Sequence, residues 1–248
     1  MGPAMNEPGR AMPPDATRAL RGTRHIFLAV GGVTVGYVRV DVWADLVCPW
    51  CYLGKRRFEQ ALTAFAHRDE VEVVFHSFQL DASLPKGEKV SQLDLLISKY
   101  GIPPTQVESM QAELERTAAA EGLEYHLRGG MTGNTFDAHR LVHLAQASGH
   151  GDAVVERFYR AHFTEQRSLF DHDSLVDLAA EAGLDPVEAR RVLKDDDYAE
   201  AVADDEREAR ELGATGVPFF VIDERYGVSG AQSAELFGEV LARAWSDA

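Results

Sequence analysis

The chain is poor in cysteine, with only two among 248 residues. That scarcity excludes a disulfide-stapled secreted scaffold, and with no second cysteine pair it excludes a four-thiolate zinc site. Positive charge is also short. There are 25 Lys+Arg against 40 Asp+Glu, a formal net charge of -15. With no basic cluster interleaved with aromatics, the composition points away from nucleic acid and from anionic lipid. Long apolar runs are missing too. The longest candidate, Ile26–Val38, is broken by Gly31, Gly32 and Gly36 and is too short to span a bilayer. Arg18, Arg21 and Arg24 precede it, as in a signal peptide, but it passes into the next strand without a small-residue cleavage site. We therefore read residues 1–36 as a disordered or non-native extension, and expect a cytoplasmic protein with no membrane partner.

The two cysteines stand together as Cys48-Pro49-Trp50-Cys51. Thiols two residues apart at the start of a helix can close a disulfide and reopen it, so the pair reads as a redox centre. Cys48 would lie at the helix N-terminus, where unpaired N–H groups and the helix dipole favour a thiolate nucleophile. Cys51, one turn in, suits the resolving role. Pro49 and Trp50 would tune the pair. The competing readings of the motif are half a metal site or two inert buried cysteines. Without a second cysteine pair, and with His67 read as facing solvent and His76 as lying mid-strand, we expect no metal, and Pro49 fits a helix's first turn better than its interior.

Around this motif the pattern is β-α-β: a strand over 38–43, a helix from Pro49 to about Phe65, and a strand over 71–78. A helical run follows, with candidates at 91–100, 105–121, 136–148, 152–164, 174–182, 186–193 and 198–212. Gly101, Gly122, Gly149, Gly183 and Gly213 mark helix ends. Asp185-Pro186 marks a helix start. Strands return at 217–222 and 226–229 around a turn at 223–225, and a helix over 233–245 closes the chain. The two α/β parts, 37–85 and 214–248, can complete one sheet between them, with 86–213 as an all-helical insertion.

Asp41-Val42-Trp43-Ala44-Asp45 ahead of the cysteine motif, with Thr215-Gly216-Val217-Pro218-Phe219-Phe220 far downstream, resembles the DsbA family of thiol–disulfide oxidoreductases. Asn134-Thr135-Phe136-Asp137-Ala138-His139-Arg140 and Gly230-Ala231-Gln232 are similar, more narrowly, to its FrnE-like branch of bacterial proteins, often cytoplasmic. The resemblance covers about residues 38–245. It implies an α/β fold in which a thioredoxin-like domain is interrupted by an inserted all-helical domain. It implies Cys48 and Cys51 as the catalytic pair, and a cis bond before Pro218 that turns the Val217 backbone toward an extended substrate. It implies a carboxylate near the resolving thiol as a proton relay, for which Asp41 and Asp45 are both candidates. Tyr52, Asn134, Phe136, His139 and Thr215 are candidate cleft-lining residues.

No bound cofactor is expected beyond the redox-active disulfide, with glutathione as a candidate exchange partner. The substrate would be a protein, peptide or small molecule bearing a disulfide or dithiol. Two alternatives stay open. Kappa-class glutathione transferases and 2-hydroxychromene-2-carboxylate isomerases share the fold, but typically carry serine at the first position. A non-redox peptide-binding module would keep its activity with both cysteines changed to serine.

Overall fold

The computed structural model describes residues 10–11 and 37–247. The expectation for residues 1–36 lies outside them, apart from Arg10–Ala11, which form a two-residue strand, β1. The chain divides into two compact units. One takes the described residues up to Ala44, Gly54–Phe78 and everything from Asp204. The other takes Asp45–Leu53 and Gln79–Ala203.

The first unit is built on a five-stranded sheet in the order β1-β7-β6-β2-β3. Strand β2, Val38–Ala44, alternates β-branched residues and lies between β6 and β3, buried on both faces. It runs parallel to β3, Val71–Ser77, with Val38 opposite Val71, and antiparallel to β6, Phe219–Ile222, with Trp43 opposite Phe219. Parallel neighbours need a crossover, here helix α1, Pro49–Ala64. Strand β7, Tyr226–Ser229, returns antiparallel to β6 after a turn in which Asp223 and Glu224 take left-handed backbone angles, both with φ 53°. β1 pairs with β7 at the edge.

Phe58 of α1, Phe220 of β6 and Phe237 of the last helix pack mutually, with ring centroids 4.7–5.6 Å apart. A second cluster joins Trp43, Ala209, Leu212, Phe219 and Val221, with Val217 against it. The Val217–Pro218 peptide bond is cis. At Gly54 a side chain would collide with the Pro218 ring: an added Cβ would lie 2.8 Å from its Cγ.

This unit also buries a charge network. His76 gives Nδ1 to Asp205 and Nε2 to Asp41, each at 2.8 Å. Arg39 binds the same Asp41 oxygen at 2.7 and 2.9 Å. The Ser77 N–H donates to the second Asp205 oxygen at 2.6 Å, and Trp43 stacks on the His76 ring at 4.4 Å. Burial alone would lower the His76 pKa. Its hydrogen bonds to Asp205 and Asp41 outweigh that and raise it from 6.5 to about 9.

The second unit is helical: α2 Gln92–Tyr100, α3 Pro104–Ala120, α4 Phe136–Ala147, α5 Gly151–Phe163, α6 His172–Glu181, α7 Pro186–Lys194 and the start of α8, Ala199–Glu211. The closing helix α9, Ala234–Ser246, belongs to the sheet unit. Asp171 and Asp185 cap α6 and α7 by accepting the N–H groups of Ser174 and Val187, both at 2.9 Å. Gly101, Gly122, Gly149, Gly183 and Gly213 all take positive φ at helix ends. A pair of three-residue strands, β4 Lys89–Ser91 and β5 Met131–Gly133, has no counterpart in the sequence reading. Among the described residues no helix is long and apolar enough to cross a membrane.

Candidate active site

The Cys48 carbonyl accepts the N–H groups of Cys51 at 3.0 Å and Tyr52 at 3.4 Å. Cys48 therefore caps α1, and Pro49 follows as its first helical residue, where a missing N–H costs nothing. The loop before the helix is tied back by the Cys48 N–H, which donates to the Asp45 carbonyl at 3.1 Å. Both thiols are buried, 4% exposed for Cys48 and 2% for Cys51, while Trp50 between them is 47% exposed.

Burial pushes the Cys51 thiol well above its usual range, and a hydrogen bond with Cys48 and the charge of Cys48 push it further. A hydrogen bond from the Asp45 backbone works against that rise, whereas the Asp45 carboxylate adds to it. Of the two carboxylates the sequence leaves open, Asp45 is the one whose charge adds to the rise of Cys51. Asp41 is held in the sheet unit by Arg39 and His76, and its pKa is lowered because those bonds outweigh burial.

Aromatic rings of the helical unit cluster about the start of α1. Tyr52 of α1 stacks on Tyr159 of α5 at 4.9 Å and on Tyr125 at 5.8 Å; Tyr125 in turn stacks on Phe163 at 4.9 Å. Their hydroxyls are committed: Tyr52 to Glu156 at 2.7 Å, Tyr125 to the Pro49 carbonyl at 2.7 Å, Tyr159 to the Asp45 carbonyl at 3.3 Å. Burial first, then the neighbouring thiols, raises the Tyr159 phenol. Burial, the Tyr52 phenol and then the thiols raise Tyr125. Both stay protonated donors. Burial pulls the pKa of His162, also on α5, down to about 4 despite the Asp45 charge, so it stays neutral.

The remaining predicted residues divide between the two units. His139 is buried in this unit, with Nε2 3.5 Å from Asp45 Oδ1. Asn134 is also buried, but its amide brackets a loop: it donates to the Leu84 carbonyl at 2.8 Å and accepts from Gln79 at 3.2 Å and from the Phe136 N–H at 3.0 Å. Phe136 is half-buried with the Lys86 ammonium 3.6 Å over its ring. Thr215 is exposed, Val217 half-buried and Pro218 buried in the sheet unit. Tyr125, Tyr159 and His162 were missed. The available signal was a histidine and a tyrosine on the apolar face of α5, where only polar tips with partners are tolerated.

Among the described residues one group has metal-ligating spacing: His76, Asp205 and Glu208, with ligand atoms within 4.8 Å of one another. Both His76 ring nitrogens are already bound to carboxylates, the geometry of an imidazolium between two anions.

Known proteins share this architecture. The model of the DSBA-like thioredoxin domain matches residues 39–242. A probable DsbA oxidoreductase from Streptomyces coelicolor, known from its crystal structure, is 51% identical, with a TM-score of 0.82 over 86% of this chain and 92% of that one. The uncharacterized protein YwbO of Bacillus subtilis (strain 168) is 27% identical over 207 residues, 83% of this chain and 96% of its own. At 21% identity and a TM-score of 0.55, over 84% of this chain and 96% of that one, the cytosolic disulfide reductase DsbM from Pseudomonas aeruginosa shares the fold alone. With most of its length matched, and a dithiol at the start of the helix that follows β2, the chain belongs to the DSBA-like thioredoxin domain family.

Proposed function

We propose that the protein is a cytoplasmic thiol–disulfide oxidoreductase of the FrnE-like kind, working through Cys48 and Cys51. The observation that carries this reading is the asymmetry of the pair. Cys48 caps the helix, whereas Cys51 lies a turn deeper, with its thiol held protonated by burial and by Cys48.

Cys48 attacks a substrate disulfide and forms a mixed disulfide. Cys51 then attacks the Cys48 sulfur, closes the internal disulfide and releases the substrate as a thiol. The reverse sequence oxidises a substrate dithiol. Pro49 and Trp50 shape the ring that closes, and Asp45 serves the Cys51 proton. The substrate is a protein, peptide or small molecule carrying a disulfide or dithiol. The net charge of -15 favours neutral or basic partners. Glutathione is the natural exchange partner to test, since the DsbM structure has been described with GSH.

The test is a titration in glutathione redox buffers with thiols counted by mass spectrometry. The wild type should lose two thiols reversibly. Cys51→Ser should stop at a one-to-one mixed disulfide, and Cys48→Ser should form none. A midpoint of about -120 mV would mark an oxidant and about -270 mV a reductant. If no reversible disulfide forms, the reading is wrong. A stable glutathione complex without oxidation would then favour the transferase or isomerase chemistry of the same fold.

A further inference from the structure

Two polar atoms of the helical unit are buried without a hydrogen bond and face each other. Asp45 Oδ1 and His139 Nε2 are 3.5 Å apart, with side chains 1% and 3% exposed. Among the described residues neither atom has a hydrogen-bond partner. An N–H···O bond closes at about 2.7–3.2 Å, so the pair stops just short of one. A buried carboxylate oxygen left unpaired is costly. A proton held between the two atoms would remove that cost.

The Cys51 thiol is the neighbouring source. Its environment includes the Asp45 backbone and carboxylate, and at 2% exposure water has little access to it. It must lose its proton to attack. The other titratable groups around Asp45 make poor acceptors. The Tyr159 phenol is raised and stays protonated, and His162 is too weak a base, with a pKa of about 4. Cys48 is itself engaged in the mixed disulfide. The second Asp45 oxygen accepts the Leu80 N–H at 2.7 Å. Elsewhere on α4, Arg140 is taken by Asp137 and by carbonyls at the end of α7, and Asp137 also binds His172 of α6 at 2.9 Å.

We propose that His139 is a positioning residue of the dithiol: acting through Asp45, it lets the pair take the Cys51 proton during ring closure and return it on reduction. This rests on the oxidoreductase reading. In the step, the Cys51 S–H bond breaks and its proton passes to the Asp45–His139 pair. The Cys48–Cys51 bond forms and the bond between Cys48 and the substrate sulfur breaks. The bonding electron pair leaves with the substrate sulfur as a thiolate.

The experiment is single-turnover oxidation of the full chain by oxidised glutathione between pH 5.5 and 9.5. Acid-quenched samples are resolved by mass spectrometry into mixed and internal disulfide. In the wild type, ring closure should rise by much less than tenfold per pH unit, because the pair rather than hydroxide accepts the proton. His139→Gln should leave mixed-disulfide formation within twofold and slow ring closure about 100-fold near pH 7, in the range of general-base contributions. Its closure rate should then rise tenfold per pH unit, because hydroxide becomes the acceptor. A variant closing within twofold of wild type across the range overturns the proposal. Should the variant not fold, the wild-type profile decides alone: a rise of tenfold per unit throughout means that solvent takes the proton, and the proposal fails. If the wild type forms neither disulfide species, the oxidoreductase reading itself falls, and this inference with it.

Discussion

The His76 network makes the sheet unit's stability depend on pH in a calculable way. His76 is held between Asp41 and Asp205, and its pKa rises from 6.5 to about 9 on folding. A folded-state pKa above the unfolded one means that the folded form binds the proton more tightly. The linked stability is therefore complete below about pH 6.5, falls as pH rises through 9, and is gone above it. The difference between 6.5 and about 9 corresponds to about 3 kcal/mol. With His76 only 11% exposed at its side chain, solvent screening removes little of it.

Equilibrium urea unfolding at a series of fixed pH values would measure this. The wild type should lose about 3 kcal/mol between pH 6 and pH 10, with an unchanged dependence on denaturant. His76→Gln should be destabilised by at least that amount at pH 6, because Asp41 and Asp205 lose the cation between them, and should lack the wild type's alkaline slope. The acid limb has the opposite sign. The Asp41 pKa is lowered from 3.8, so its contribution is present above that value and is lost as pH falls through the folded-state pKa. Equal slopes for wild type and His76→Gln between pH 6.5 and 9 would refute the imidazolium assignment.

Two further predictions concern packing. Gly54→Ala gains helix propensity but drives a Cβ to 2.8 Å from the Pro218 ring and 3.4 Å from the Ala231 Cα. A proline ring cannot swing aside, so overpacking should prevail, with a net loss of about 1–3 kcal/mol in chemical denaturation; a stabilised variant would contradict the contact. Arg140, 3% exposed, binds the Asp137 carboxylate at 3.0 Å, the Asp197 carbonyl at 2.8 Å and the carbonyls of Val192 and Asp195. Arg140→Met strands these acceptors and should cost about 3–5 kcal/mol. Arg140→Lys should recover little, since one ammonium cannot span a planar fork's partners. A loss below about 1 kcal/mol for Arg140→Met would refute that account.

Helices and long strands were legible in the sequence because their signals are local. Apolar period marked the faces, and Gly101, Gly122, Gly149, Gly183 and Gly213 marked the ends through a backbone angle that only glycine adopts cheaply. β4 and β5 were not legible, since three residues are too few for a period of two to show. At the site, Cys48 and Cys51 were legible from spacing alone. The choice between Asp41 and Asp45 was not. Both precede the motif, and what separates them is long-range: His76 and Arg39 claim Asp41, while the loop into α1 brings Asp45 to Cys51. His139 and His143 share a helix face by spacing, yet they serve different neighbours, Asp45 for one and the Tyr198 ring at 6.1 Å for the other.

The grouping of Asp45–Leu53 with the helical unit has a chemical consequence. Tyr125 and Tyr159, whose phenols feel the charge of both thiols, come from that unit, as do His139 and His162, which feel or approach Asp45. The Phe58–Phe220–Phe237 cluster and the His76 network stabilise the sheet unit, while the proposal above gives His139 of α4 a part in how readily Cys51 gives up its proton. A thiol's reactivity follows its thiolate fraction, and thiolate fraction follows burial and nearby charge. Substitutions on the α5 face that carries Tyr159 and His162 should therefore move the redox behaviour of the pair with little effect on the sheet. Substitutions around Trp43 and Phe219 should do the reverse.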